Sequence, residues 1–469
     1  MEPFRHHIFV CTQEKPEGVT SCPNNGSLRI FRALERELAS QGLDNEVQVT
    51  TCGCLGLCDD GPIMITYPQG VWYHQVKEED VPEIVDSHLH SGRVVSRLAW
   101  SDSEAMKAQS TEHRDRYRAM VKARDEAAVL PDDLHEMIRA FMPSRAVLTA
   151  LELDVFTSVG SGASAAQVAQ SIHADSRATE MLLNVLVSLK LLDKKELHKK
   201  DSTFFNTPVS ARFFSEGSRD QARSALMHTA HLWPRWSALT ECVRAGTSVG
   251  TQAGTLVGAR SRDDNWVVAF IAAMDRNAKE RAGAVLKALA KATGTGGIKR
   301  MLDLGGGSGA YSIAFARAIP GLESEILDLG EVVPLAQENI RKTGLADRVT
   351  TRVGDMLRDP LGQNYDLILL SAICHMFSPE ENRELFERAY NALAPKGKVI
   401  VQDFILEPDK TAPRFAALFS LNMLVGTQAG SSYSEPEYAS WLRDAGFSDV
   451  CRVRLPGPSG LMIGVRASS

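Results

Sequence analysis

The chain has no uninterrupted apolar run of the ~18 residues that a membrane-spanning helix requires, so no membrane association is expected. Its start, Met1-Glu2-Pro3-Phe4-Arg5-His6-His7, carries no apolar core of the kind an export signal has, and a cytoplasmic location is expected. Positive charge is not in excess. The 52 basic and 58 acidic residues leave a net charge of −6, which gives bulk electrostatics no hold on nucleic acid. Without an export signal, the eight cysteines do not read as a disulfide scaffold. What is present is the balance of a folded soluble protein, 44% hydrophobic and 23% charged, which excludes a disordered or fibrous chain. At 469 residues it exceeds one ordinary domain, and about three units are expected.

Charge and cysteine are both unevenly placed. Residues 1–95 hold 14 acidic and 7 basic residues, whereas the remainder holds 44 and 45. Five of the eight cysteines, Cys11, Cys22, Cys52, Cys54 and Cys58, fall in the first 58 residues. The first hundred residues therefore read as a separate acidic module, and so dense a thiol group in a cytosolic chain points to metal.

Within that module His7–Val10 reads as a strand delivering Cys11. Ser27–Leu38 has helical periodicity, with Leu28, Phe31, Leu34 and Leu38 on one face. Strands follow at 46–50, 62–67 and 71–73, and 81–89 reads as a closing helix. Gly53 and Gly56 allow the backbone to fold tightly around a bound ion or cluster. Three readings of the thiols stand side by side. Four thiolates suit an iron–sulfur cluster. They also suit zinc, although zinc favours closer pairs than Cys11 and Cys22. Reduced structural cysteines are the third. The string Cys11, Cys22, then Cys54-Leu55-Gly56-Leu57-Cys58-Asp59-Asp60-Gly61-Pro62, then Tyr67-Pro68 and Gly70-Val71-Trp72-Tyr73, resembles the thioredoxin-like [2Fe–2S] ferredoxins over residues 6–98. The resemblance implies ligands Cys11, Cys22, Cys54 and Cys58, with Cys52 a non-ligand. Asp59 and Asp60 are expected to add negative charge beside the cluster and to suit a basic redox partner.

Residues 101–127 carry alternating charge without Pro or Gly, which reads as a solvated helix, spacer or dimer arm. Residues 134–240 are mostly helical, with apolar faces from Leu134, Ile138 and Phe141 and from Ala146, Leu148, Leu151 and Val155. A two-stranded wing is expected across 191–206. This is a winged-helix pattern, but its recognition-helix region has no basic cluster, so dimerisation and covering of a substrate are expected rather than DNA binding.

Further on, Lys299–Leu304 reads as a buried strand running into Gly305-Gly306-Gly307-Ser308-Gly309 and an apolar helix. That corner brings a ligand close to the backbone and to a helix N-terminus. Asp328 ends the next strand about twenty residues on, where a carboxylate takes ribose hydroxyls. After a third strand, Gly354-Asp355-Met356 is placed to meet an adenine. A fourth strand, 365–370, precedes Ile373-Cys374-His375, and a fifth spans 398–402. No Lys-Ser/Thr follows the glycine loop, which disfavours a phosphate loop, and a nicotinamide reading would need a dehydrogenase site.

These elements resemble class I S-adenosylmethionine (SAM) methyltransferases. More narrowly, residues 131–469 resemble the O-methyltransferase family of acetylserotonin, caffeate and hydroxyneurosporene methyltransferases. The likeness rests on the glycine loop, Asp328, Gly354-Asp355-Met356, Ile373-Cys374-His375 and Tyr433–Trp441 before Ala445-Gly446-Phe447. It implies cofactor contacts from Asp303, Gly305, Gly307, Asp328, Asp355 and Met356, and a homodimer. It also implies His375 as the base, steered by Asp403. The family's second acid position holds Ser432, and a family lysine is Ser371. Trp233, Trp236, Phe270, Met274, Phe419, Asn422 and Met423 are expected around an apolar small-molecule acceptor.

The expected fold class is thus α/β, with a helical domain in the middle. It comprises a thioredoxin-like ferredoxin over 1–98, a charged helical linker over 99–130, a winged-helix dimerisation domain over 131–245 and a class I, Rossmann-like methyltransferase over 246–469. The expected reaction is SAM-dependent O-methylation. S-methylation of a small thiol and a SAM-binding electron-transfer protein are the alternatives.

Overall fold

The computed structural model describes residues 3–15, 19–126, 130–198, 201–218, 220–249 and 264–468. The chain forms two compact units, Met1–Phe141 and Met142–Ser469.

The first unit is built on strands β1 (His6–Cys11), β2 (Val47–Cys52), β3 (Met64–Tyr67) and β4 (Val71–Tyr73) in the order β2-β1-β3-β4. β1 is parallel to β2 and antiparallel to β3, so a helix must cross between β1 and β2. That crossover is Ser27–Ser40. Its buried stripe is Ile30, Ala33, Leu34 and Leu38, while Leu28 is exposed and Phe31 half-buried. The expected face was therefore rotated: the i, i+4, i+8 row from Ile30 packs on Ile8, Val10 and Tyr73. Helical turns at Val81–Glu83 and Ile84–His90 close the layer. The charged helix Ser103–Glu126 is not a free spacer, because Met106 joins Trp72, Trp100 and Leu55 against the cysteine cluster. A further helix, Asp132–Arg139, leaves Met137 and Ile138 about three-fifths exposed.

In the second unit, β5 (Ala163–Ser164), β6 (Leu192–His198) and β7 (Asp201–Asn206) form the wing, in the order β5-β7-β6. It has one strand more than the two expected. The helix Ala165–Ser171 starts on a capping box in which Ser164 and Gln167 satisfy each other's backbone N–H groups. The larger sheet has seven strands in the order β10-β9-β8-β11-β12-β14-β13. They are β8 (Arg300–Leu304), β9 (Glu323–Asp328), β10 (Val349–Val353), β11 (Tyr365–Ser371), β12 (Leu393–Asp403), β13 (Phe447–Arg454) and β14 (Gly460–Arg466). β8 to β12 run parallel, and β14 lies antiparallel between β12 and β13. Continuous apolar runs such as Leu367–Leu370, all fully buried, follow from helices covering both faces. The strand order reverses between β8 and β11, and their carboxyl ends open the crevice where such sheets take ligands.

Candidate thiolate site and candidate active site

In the first unit β1 and β2 end together, so Cys11 and Cys52 are register partners. The turn after β2 then returns Cys54 and Cys58, and the loop from Ser21 brings in Cys22. The Sγ atoms of Cys54 and Cys58 lie 3.5 Å apart. Cys11 hydrogen-bonds with Cys22, which lowers Cys11 to about 6, assisted by the N–H groups of Gln13 and Leu55. Cys58 likewise lowers Cys54 to about 5, and the Gly56 N–H donates to Cys54 Sγ at 3.3 Å. The same contacts, with burial, shift Cys22 and Cys58 upward. Cys52 differs: burial, then the charges of Cys11 and Cys54, push it up to about 11. Glycine is required at two points. A Cβ on Gly61 would stand 2.8 Å from Cys22 Sγ, and Gly56, at φ +83°, lies against Ser110.

Asp59 and Asp60 are not bare charges beside this site. Asp59 pairs with Arg116 at 2.6 Å, and Asp60 accepts from Gln75 and Gln109. His113, on the same helix as Arg116, is buried, and a ring nitrogen and the Cys54 and Cys58 sulfurs lie within 4.8 Å of one another. The sequence offered no cue for this approach, since a lone histidine in a charged helix reads as solvated.

In the second unit the carboxyl ends of β8, β9, β10 and β11 converge. Gly305, Gly307 and Gly309 all take positive φ. A Cβ on Gly305 would strike Ile373 and approach Met356 Cε at 3.1 Å, which brings the loops after β8, β10 and β11 together. A Cβ on Gly307 would meet nothing within 4 Å, so its backbone is open to a ligand. The Gly307 N–H donates to Asp328 Oδ2 at 2.8 Å, and the Leu329 N–H donates to Oδ1 at 2.7 Å. Burial raises the Asp328 carboxyl above the ordinary range. Asp303 is wholly buried, accepts from Ser312 Oγ at 2.7 Å through Oδ2, and leaves Oδ1 without a partner. Burial pushes it up to about 7. Asp355 accepts from the Leu357 N–H at 2.9 Å, shaping the turn that carries Met356.

His375 sits just past β11, where Ala372 adopts φ +56°, a left-handed conformation costly for a residue other than glycine. Asn382 secures this turn by donating to the carbonyls of Cys374, Phe377 and Ser378. His375 Nδ1 lies 2.6 Å from Asp403 Oδ1. Asp403, at the end of β12, also accepts from the backbone N–H groups of His375 and Phe404 and from Tyr438 Oη. Burial, then Asp403 itself, raises the Tyr438 phenol well above its usual value, so it acts as a donor. With Nδ1–H committed to the carboxylate, the basic lone pair of His375 is on Nε2. Ser432 is buried with no partner for its hydroxyl, and among the described residues Asp403 is the one carboxylate bonded to His375.

The ring of His375 stacks on Phe404 and meets Phe419 edge-on, and Phe415 continues that wall. Trp236 Nε1–H donates to Asn422 Oδ1 at 2.9 Å beside it. Trp233 does not belong here. It packs with the wing-bearing core and under Arg145. The Phe270 side chain lies outside the described residues. Sequence reasoning missed Phe404, Phe415 and Tyr438. It also missed a polar group in which Tyr311 and Ser371 both donate to Gln402 Oε1, leaving Gln402 Nε2 buried and unpaired.

Comparison with known proteins finds three domains in the chain. An O-methyltransferase domain model matches residues 236–448, an O-methyltransferase dimerisation domain model matches 135–216, and a thioredoxin-like [2Fe-2S] ferredoxin model matches 2–88. The chain belongs to the O-methyltransferase family, with a thioredoxin-like ferredoxin domain ahead of it. It is 31% identical to the 3-hydroxy-5-methyl-1-naphthoate 3-O-methyltransferase of Streptomyces sahachiroi, over 72% of this chain and 96% of that protein. Identity is also 31% to the tetracenomycin polyketide synthesis 8-O-methyl transferase of Streptomyces glaucescens, over 71% and 96%. Among solved structures, human N-acetylserotonin methyltransferase in complex with SAM superposes with a TM-score of 0.63 at 27% identity, covering 71% of this chain and 97% of that one. The class I methyltransferase fold with its N-terminal dimerisation domain is therefore the fold of the second unit. Among the described residues, no helix is long and apolar enough to cross a membrane.

Proposed function

We propose that the second unit transfers the methyl group of SAM to the hydroxyl of a planar aromatic acceptor, and that the first unit holds a [2Fe–2S] cluster. One observation carries the acceptor chemistry: a histidine with one nitrogen fixed on a buried carboxylate stands edge-on to a wall of phenylalanines. The wall favours a flat apolar body, and Nε2 takes the hydroxyl proton as the oxygen attacks. The relatives whose names specify naphthoate, polyketide and acetylserotonin acceptors agree with that class.

SAM supplies a methyl group that carries its own leaving group, so alignment is the protein's main task. The open backbone at Gly307 and the unpartnered Asp303 Oδ1 suit such a ligand. In this reading Asp303 meets its ammonium group, Asp328 its ribose hydroxyls, and Asp355 and Met356 its adenine. In the first unit, two facing cysteine pairs, one member of each shifted down and the Gly56 N–H donating to Cys54, suit ligation through Cys11, Cys22, Cys54 and Cys58. The raised Cys52 thiol suits a bystander.

The dimerisation domain and the exposed Met137, Ile138 and Phe141 support a homodimer. Methyl transfer from SAM needs no electron, so the cluster serves regulation or a redox partner, in a cytoplasmic enzyme.

Titration calorimetry with SAM, followed by single-turnover transfer to a series of phenols and thiols, tests this reading. SAM affinity nearly intact in His375→Ala, with transfer to phenols falling at least about a hundredfold, is the expected result. Faster transfer to thiols, with little effect of His375→Ala, would replace O- by S-methylation.

A further inference from the structure

His113 is a histidine that neither the methyl-transfer chemistry nor the four thiolates account for. It lies on the helix Ser103–Glu126, beyond the region matched to ferredoxins, and is 6% exposed. Four contacts hold that helix over the cysteine loop. Arg116 pairs with Asp59 at 2.6 Å, Gln109 donates to Asp60, Ser110 packs on Gly56, and Lys15 Nζ sits 3.5 Å above the Tyr117 ring. The Asp59 pair is exposed and contributes little stability, so its effect is to place Arg116.

Arg116 then decides the state of the imidazole. Its Nη2 lies 3.2 Å from His113 Nδ1. A guanidinium can only donate, so Nδ1 is the acceptor and the ring proton is on Nε2. Nε2 is buried and has no hydrogen-bond partner, and the His113 ring is beside Cys54 and Cys58. A buried N–H without an acceptor is costly, and the Cys54 and Cys58 sulfurs are the acceptors beside the ring.

We propose that His113 donates its Nε2–H to the Cys54/Cys58 edge of the cluster, so that the helix Ser103–Glu126 is the cluster's lid and sets its reduction potential. The inference rests on the [2Fe–2S] reading of the first unit. Reduction adds one electron to the cluster and makes its sulfurs more negative. An N–H aimed at them therefore stabilises the reduced form and raises the potential. Asp59 acts one step removed: it orients Arg116, which fixes the tautomer that donates.

The test uses the full chain purified without oxygen, as wild type, His113→Phe and His113→Gln. Iron and sulfide are assayed first, and the potential is then read by EPR-monitored titration. His113→Phe is expected to keep the cluster but to become harder to reduce by about tenfold in the one-electron equilibrium, which is ~59 mV. His113→Gln, which retains an N–H donor, should recover part of that shift. If His113→Phe loses its cluster, Arg116→Leu decides, because it keeps the imidazole but frees its tautomer: a more negative potential supports the proposal. An unchanged potential in a loaded His113→Phe or in Arg116→Leu overturns it. So does hyperfine coupling from 15N-labelled histidine strong enough to make His113 a ligand. Wild-type protein with zinc and no sulfide would instead sink the cluster reading, and this proposal with it.

Discussion

Asp403→Asn tests the active site with almost no change of shape. The carboxylate accepts four hydrogen bonds, from His375 Nδ1 at 2.6 Å, Phe404 N at 2.8 Å, His375 N at 3.1 Å and Tyr438 Oη at 3.1 Å. An asparagine whose oxygen faces His375 Nδ1 and Phe404 N keeps the first two. Its NH2 then faces two donors, of which only the tyrosine can turn to accept. The larger loss is electrostatic. As Nε2 takes the acceptor's proton, the ring becomes an imidazolium, and its charge is centred about 4 Å from the carboxylate. At an effective dielectric constant of about 20 that attraction is about 4 kcal/mol, or close to a thousandfold in rate. Side-chain relaxation and the retained neutral hydrogen bond offset part of it, so the expected fall in phenol methylation is about 10²–10³-fold. SAM affinity should stay within about threefold of wild type, because no described contact links Asp403 to the glycine loop. Single-turnover transfer and calorimetry on the same preparation separate the two quantities. A loss of less than about fivefold in transfer, or an equal collapse of SAM binding, would refute the assignment of His375 and Asp403 as a proton-accepting pair.

Three further outcomes are expected. Asp328→Ala should weaken SAM binding roughly 10- to 100-fold, the equivalent of charge-assisted bonds worth about 1.5–3 kcal/mol, and unchanged affinity in calorimetry would misplace the ribose contact. In wild-type protein, metal and sulfide analysis should give two irons and two sulfides per chain, lost in Cys58→Ser and kept in Cys52→Ser; in cluster-free protein at pH 7, mass spectrometry should find Cys54, lowered to about 5, alkylated well before Cys52, raised to about 11. Asp303 has a folded-state value raised from 3.8 to about 7, so ionising it costs stability that is absent below 3.8 and fully felt above about 7. The melting temperature of ligand-free Asp303→Asn should therefore gain on wild type as pH rises from 5 to 7, and a difference that does not vary with pH would contradict the burial argument.

Much of this could be read from the sequence because the signals were local. The glycine loop between a buried strand and an apolar helix, the carboxylate closing β9 and the histidine after β11 all lie within a few residues of the element that positions them. What escaped depends on distant partners. The charge alternation of Ser103–Glu126 reads as solvated, because nothing within the helix reveals that Asp59, Asp60 and Gly56 match Arg116, Gln109 and Ser110. Trp233 was placed in the acceptor pocket on residue type alone, yet a tryptophan at helical spacing serves either of two neighbouring cores equally well. Leu28 shares the periodicity of Leu34 and Leu38, and periodicity alone does not tell whether the first turn of the stripe is completed by Leu28 or by Ile30, the residue that faces the sheet.

The end of β12 also limits how this enzyme can be altered. Gln402 joins Tyr311 and Ser371 on one side, and Asp403, the next residue, joins His375 and Tyr438 on the other. Side chains alternate along a strand, so the two neighbours divide two polar networks between them. β12 is an interior strand, locked in register to β11 and to β14. Insertion or deletion of a single residue there would exchange the networks and break both at once, whereas Phe404, Phe415 and Phe419 can each change volume with the strand's length kept intact. Laboratory evolution towards new acceptors should accordingly accumulate substitutions along the phenylalanine wall and leave the length of β12 untouched.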